Sequence, residues 1–141
     1  MSILDRYQAY ADAFEVSYED DDWSHIEPYF TEDAVYEGEP EDAQGREAVL
    51  AKLKQSVDAF DRKMDSRAIA FETSTIDGNS IRTRWSGTYT KSGVPDLIIS
   101  GVEIAIFEGD RIARLSGEFD PEAQKAMGEW MAAHGALLQG D

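Results

Sequence analysis

The chain has 141 residues, 42% of them hydrophobic, which suffices for one buried core and not for two. Its 29 acidic residues against 13 basic ones give a net charge of −16, which repels nucleic-acid phosphates and anionic lipid and so argues against both as partners. Cysteine is absent, which excludes disulfides, thiolate metal sites and cysteine nucleophiles, and no apolar run approaches the length of a membrane helix.

Met1 to Tyr10 already carries Asp5 and Arg6 and lacks the apolar stretch of a signal peptide, so a cytoplasmic location is expected. The acidity fits a salt-rich cytoplasm and equally any strongly acidic soluble protein. A single domain is expected over residues 1–141, with a core over 3–120 and a C-terminal helix over 121–138.

Leu4, Tyr7, Ala11, Phe14 and Tyr18 recur at steps of three and four, which predicts a first helix with one apolar face. The acidic run Glu19 to Asp22 ends it. Asp22 can cap a short second helix carrying Trp23, Ile26 and Phe30 on one side. Ala34 to Glu37 suggests a short strand, and the acidic, Pro- and Gly-bearing stretch Gly38 to Gln44 a loop. A third helix begins near Gly45, with Val49, Leu50, Leu53, Val57 and Phe60 at helical spacing and Glu47 in its first turn, where negative charge suits the helix dipole.

From Arg67 the period changes. Segments rich in Ile, Val, Thr, Trp and Tyr alternate with Asp77-Gly78-Asn79, Lys91-Ser92-Gly93 and Glu108-Gly109-Asp110, which predicts antiparallel strands over 67–76, 80–90, 96–107 and 111–119. Asp120-Pro121-Glu122 then starts the last helix, with aspartate as cap and proline at the first helical position. Its stripe of Met127, Trp130, Met131, His134, Leu137 and Leu138 must cover either the domain's own open end or a second subunit.

Within the 96–107 strand, alternation sets Val102, Ile104 and Ile106 on one face and Glu103, Ala105 and Phe107 on the other. Both faces are apolar, and a partner subunit on one side is the simplest cover. Glu103 is then a carboxylate inside an apolar strand. If it faces a pocket, desolvation raises its pKa and makes it an acid or base near neutral pH; otherwise it pairs with Arg84 or Arg114 across the sheet. Trp85 and Tyr89 share a strand face with Ile81 and enter the pocket, or meet the partner, together.

Three pieces of sequence carry a resemblance: Tyr29-Phe30-Thr31-Glu32-Asp33-Ala34-Val35-Tyr36, then Gly45-Arg46-Glu47-Ala48-Val49, then Phe107-Glu108-Gly109-Asp110-Arg111-Ile112 closing on Phe119-Asp120. With the element order they resemble the nuclear transport factor 2-like superfamily, its SnoaL-like branch in particular. The resemblance implies an α+β, cystatin-like roll: a cone-shaped, curved, mostly antiparallel sheet wrapped around N-terminal helices, here with an additional C-terminal helix. It also implies a homodimer through the outer sheet face and an interior pocket for a small apolar organic molecule. No cofactor is implied. Glu103 is the candidate catalytic residue, with Tyr10, Phe14, Tyr36, Trp85, Tyr89, Phe107 and Phe119 as candidate lining and Tyr36 or Tyr89 as hydrogen-bond donor. Trp23 belongs to the same surplus of aromatic side chains.

Aligned on these motifs, Glu103 falls where ketosteroid isomerases of the superfamily carry the second acid of their oxyanion-stabilising pair. Their helix-one tyrosine falls on Phe14 and their proton-shuttling aspartate on Gly38, so steroid isomerisation by that route is not expected. Polyketide cyclases and limonene-epoxide hydrolases place a working aspartate on the last strand, where Gly117 stands here, and no Arg-x-Asp occurs. Scytalone-dehydratase-like catalysis needs two histidines among the pocket strands, whereas His25 and His134 lie on predicted helices. The acidic clusters Glu19 to Asp22 and Glu37, Glu39, Glu41, Asp42 fit no calcium-loop spacing, and no metal is expected. Isomerase, cyclase, dehydratase or hydrolase chemistry at Glu103 therefore stands beside binding without turnover, and beside a carrier or protein-interaction module using the outer sheet face.

Overall fold

A computed structural model describes residues 2–38 and 41–138. Glu39 and the side chain of Leu138 lie outside the described residues. Helix α1 (Ile3–Asp20) starts at Ser2, whose hydroxyl accepts from the Asp5 amide at 3.1 Å. It stops at Asp21, held in the left-handed region that aspartate tolerates better than bulkier residues. The expected short second helix is instead two single 3-10 turns, Trp23–His25 and Glu27–Tyr29, because Pro28 supplies no amide to continue a helix. Asp22 caps the first of them as predicted, accepting from the Ser24 amide at 3.1 Å.

Strand β1 (Phe30–Glu37) begins four residues before the expected one and pairs antiparallel with β2 (Ala43–Gln44) and parallel with β7 (Arg111–Phe119). Between β2 and the meander lies α2 (Arg46–Ala59). The rest of the sheet is β3 (Ser66–Phe71), β4 (Thr75–Asp77), β5 (Ser80–Thr90) and β6 (Leu97–Glu108). The order is β2-β1-β7-β6-β5-β3, with β4 also paired to β5, so a single parallel contact makes an otherwise antiparallel sheet mixed. The strand expected over 67–76 is split by a bulge, since Glu72, Thr73 and Ser74 face only Thr83 and Arg84 between the paired ends. Gly78, Gly93 and Gly109 take positive φ at the predicted turns.

The sheet curves with Ile81, Ala105 and Leu115 on its concave face, all fully buried. They meet Tyr7, Tyr10, Phe30, Val49 and Leu53 in a first core beneath α1 and α2. A second core lies at the far end, where helix α3 (Pro121–His134) sets Ala123 and Trp130 on Tyr89, Leu97, Ile99 and Met64. The last helix thus covers its own sheet's open end. Of its predicted stripe, Trp130 is buried and its indole N–H donates to the Pro95 carbonyl at 2.9 Å, whereas Met131 and Leu137 stay exposed. Asp120 occupies the cap position without capping. Its carboxylate accepts from Arg84 and from Ser100, each at 2.7 Å, which ties the start of α3 to the sheet.

Candidate functional site

Between the two cores a cavity of about 200 Å³ remains. Tyr10 and Phe14 enter it from α1, Tyr36 from β1, Trp85 and Tyr89 from β5, and Glu103 from β6. Trp85 and Tyr89 thus share the concave face, as their spacing with Ile81 allowed. The other two expected lining residues stand elsewhere. Phe107 is 2% exposed and packed into the first core, beyond a register shift at Ile106/Phe107. Phe119 is 44% exposed and meets Trp85 edge-on with ring centres 6.0 Å apart.

Glu103 sits between Thr83 on β5 and Gly117 on β7, on the concave face. Neither arginine weighed as its partner reaches it. Arg84 and Arg114 are one residue out of phase, on the convex face, where they pair with Asp120 at 2.7 Å and Glu37 at 2.6 Å. The partner of Glu103 is Tyr7, whose hydroxyl donates to Oε1 at 2.6 Å. Burial pushes the carboxyl above the ordinary glutamate range, and the phenol's hydrogen bond pulls part of the way back. Burial also drives the Tyr7 phenol up, the Glu103 charge reinforces this, and Thr83 opposes it. Tyr10 and Tyr36 are raised by burial first and by Glu103 second. An ionisable carboxyl surrounded by three phenols that stay protonated can give or take one proton and offer hydrogen bonds around it.

A second polar group lies in the same wall. Arg67 enters from β3 opposite Tyr89, and its terminal nitrogen donates to Glu15 Oε2 at 2.8 Å. Its Nε is 3.5 Å from Asp61 Oδ2, and its guanidinium lies 4.1 Å over the Tyr18 ring. Burial raises Asp61 to about 6, against the pull of Arg67.

Tyr7, Asp61 and Arg67 were not singled out from sequence. Tyr7 had a signal, since it shares the apolar stripe of α1 with Ala11 and Phe14, and a phenol on a buried stripe needs a partner. The histidines are remote from the cavity: His25 faces Asp20 at 2.8 Å, and His134 stacks edge-on with Trp130. Three members of the acidic run at the end of α1, Asp20, Asp21 and Asp22, are spent on caps and ion pairs, with Asp21 holding Lys54 and Arg62. Among the described residues no group of three or more His, Asp or Glu could hold a metal ion, and no helix is long and apolar enough to cross a membrane.

The profile of the SnoaL-like domain family matches residues 7–115. No curated protein matches the sequence. Among solved structures, a candidate SnoaL-like polyketide cyclase from Jannaschia sp. CCS1 superposes with a TM-score of 0.70 at 12% identity, covering 87% of this chain and 88% of that one. Another candidate SnoaL-like polyketide cyclase, from Shewanella denitrificans OS-217, gives 0.65 at 14% identity over 90% and 97%. An NTF2-like protein of unknown function from Exiguobacterium sp. 255-15 gives 0.65 at 18% over 85% and 99%. At these identities the likeness is one of fold.

Proposed function

Since the chain belongs to the SnoaL-like domain family, we propose that it takes a small, largely apolar organic molecule into the cavity beneath α1 and moves a proton on it with Glu103. The observation that carries this is one contact: a carboxyl displaced upward by burial, fixed by the Tyr7 hydroxyl at 2.6 Å, in a cavity whose wall is mostly aromatic and aliphatic around it, with Arg67, Glu15 and Asp61 also among its lining. Tyr7 occupies Oε1, which leaves Oε2 for the ligand. A carboxyl held toward its protonated form can donate to a carbonyl oxygen as charge develops there, then recover the proton from a neighbouring carbon; positioned acid–base catalysis of this kind contributes about 10²–10⁴-fold. The reaction class is isomerase, cyclase, dehydratase or hydrolase, without a cofactor, and the polyketide-cyclase candidates among the structural neighbours support a carbonyl-bearing substrate.

The test is a carbon-13 titration of Glu103 in the wild type, assigned with Glu103→Gln, before and after addition of the small molecule that native mass spectrometry finds copurifying with the protein. A raised midpoint that moves on ligand addition is expected. An ordinary glutamate midpoint, unmoved by the ligand, refutes the acid–base role and leaves a carrier.

A second reading concerns the convex sheet face. Ile98 is 60% exposed there, with Ile104 and Ile106 half-buried farther along the strand, Ser100 and the buried Val102 between them, and Arg82, Arg84, Arg114 and Glu118 at the border. An apolar strip with a charged border supports a homodimer through this face, in a cytoplasmic protein with no affinity for nucleic acid. Light scattering on wild type and on the double variant Ile98→Asp, Ile104→Asp checks it. A monomeric wild type would instead favour a protein-interaction module that docks a different partner.

A further inference from the structure

Tyr7 has a second hydrogen-bond neighbour, and its two bonds have a direction. A phenol carries one hydrogen, and Tyr7 spends its own on Glu103 Oε1 at 2.6 Å. Thr83, the residue opposite Glu103 on β5, is hydrogen-bonded to the same phenol, so Thr83 must be the donor there. That uses the only hydrogen of the Thr83 hydroxyl. Its contact with Ser74 Oγ, at 2.6 Å, is therefore donated by Ser74. The result is a file of hydroxyls, Ser74 to Thr83 to Tyr7, all pointing at the carboxylate. Thr83 is 1% exposed and Tyr7 is also buried, whereas Ser74 is half-buried at the surface. A valine would fill the place of Thr83, so packing alone does not ask for a hydroxyl there. Ser74 reaches Thr83 at the bulge between β3 and β4, and bulges re-aim side chains. Ser74 and Thr83 line a neighbouring open recess, with Asp12 and Glu72 also in its wall, and Tyr7 borders both this recess and the cavity of Glu103.

We propose that Ser74, Thr83 and Tyr7 form a proton relay that charges and discharges Glu103 through Oε1 from the recess. The proposal rests on the acid–base role argued above for Glu103 and deepens it, naming how the acid exchanges its proton with solvent while a ligand fills the cavity. Inward transfer balances. A hydronium ion in the recess gives a proton to Ser74 as Ser74 passes its own to Thr83, Thr83 to Tyr7 and Tyr7 to Oε1. One O–H bond forms for each that breaks, water is left behind, and every hydroxyl ends neutral. The file then points outward, and running it backward discharges the acid. The protons move together, because burial keeps the phenol protonated and no phenolate stands free in the path. Carboxylates in the recess wall draw cations, hydronium included, towards its mouth. Thr83 and Ser74 act through Tyr7 and are positioning residues.

The test is the rate at which Glu103 exchanges its proton, read in the full chain by carbon-13 relaxation dispersion of the carboxyl at its titration midpoint. Thr83→Val and Ser74→Val should each slow the exchange at least tenfold, whereas Thr83→Ser, which keeps the hydroxyl, should stay within about twofold of the wild type. In the wild type the rate should fall along a curve as deuterium oxide replaces water, since several protons move at once. That curve needs no variant, so a valine protein that folds poorly does not remove the test. A raised midpoint with unchanged rates in both valine variants, or a straight-line deuterium dependence in the wild type, overturns the relay alone and leaves the acid–base role standing, with water in the cavity as the carrier. An ordinary glutamate midpoint removes the acid–base role and the relay with it.

Discussion

Replacing Asp61 by asparagine should make the protein more stable at neutral pH, by an amount that depends on pH in a defined way. The Asp61 side chain is 18% exposed and titrates near 6 in the fold, against 3.8 for a free aspartate, because burial outweighs the attraction of Arg67. A folded-state pKa above the unfolded value means that the native state holds its proton longer. Below pH 4 both states are protonated and the residue contributes nothing. Between about 4 and 6 the unfolded chain ionises first, so wild-type stability falls as pH rises, and above 6 the loss is complete. Two units at 1.36 kcal/mol each make this about 3 kcal/mol. Asparagine mimics the protonated side chain and does not titrate, so unfolding free energies from urea curves of both proteins at pH 4 to 8 isolate it. The variant's advantage should grow by about 3 kcal/mol between pH 4 and 7 and be flat beyond. Parallel curves would refute the claim that Asp61 is desolvated.

Tyr7→Phe removes the one hydrogen bond that opposes the burial of Glu103, so the carboxyl should titrate still higher than in the wild type, read by carbon-13 NMR; a downward or null shift contradicts the pairing. Trp130→Ala empties the second core and strands the Pro95 carbonyl, and should cost about 3–5 kcal/mol in chemical denaturation. Gly101→Ala drives a methyl group into the Glu118 backbone carbonyl and should lower stability by roughly 1–3 kcal/mol, measured by thermal unfolding, whereas Gly117→Ala, whose nearest neighbour is 3.8 Å away, should cost less than half of that.

Local chemistry made most of this fold legible. The three glycine turns of the meander, the stripe of α1, Asp22 as a cap and the proline start of α3 are decided within a few residues, and each stands where sequence placed it. Strand alternation likewise set Glu103 on the face of Ala105, since the side-chain period of two leaves no choice once the strand is assigned. What escaped depends on which strands meet and at what register. The parallel β1–β7 pair joins segments some eighty residues apart in sequence. The bulges after Phe71 and Ile106 shift neighbouring side chains. Phe107 and Phe119 show the consequence, for strand alternation set the first on the face of Glu103 and the resemblance counted both as lining, whereas the fold buries one in the first core and leaves the other at the surface. Tyr7, Asp61 and Arg67 meet the cavity from three different elements, a convergence that no local pattern records.

The cavity itself has a cause in the sequence. Three residues of the concave face are glycines: Gly87 opposite Ile69 and Ile99, Gly101 opposite Trp85 and Phe119, and Gly117 opposite Glu103. At the first, Ile69 and Tyr89 have folded over the position, so that a Cβ there would lie 2.9 Å from both. At the second, the neighbouring backbone itself closes in, an approach that any side chain would prevent. These two let the sheet bend sharply and bring its far end under α3. The third is different, because it lies exposed and an added Cβ would meet only the Val102 carbonyl, at 3.8 Å. An aspartate at 117 would set a second carboxylate directly opposite Glu103 across the strand pair; glycine leaves Glu103 with Thr83 and no charged group as its cross-strand neighbours.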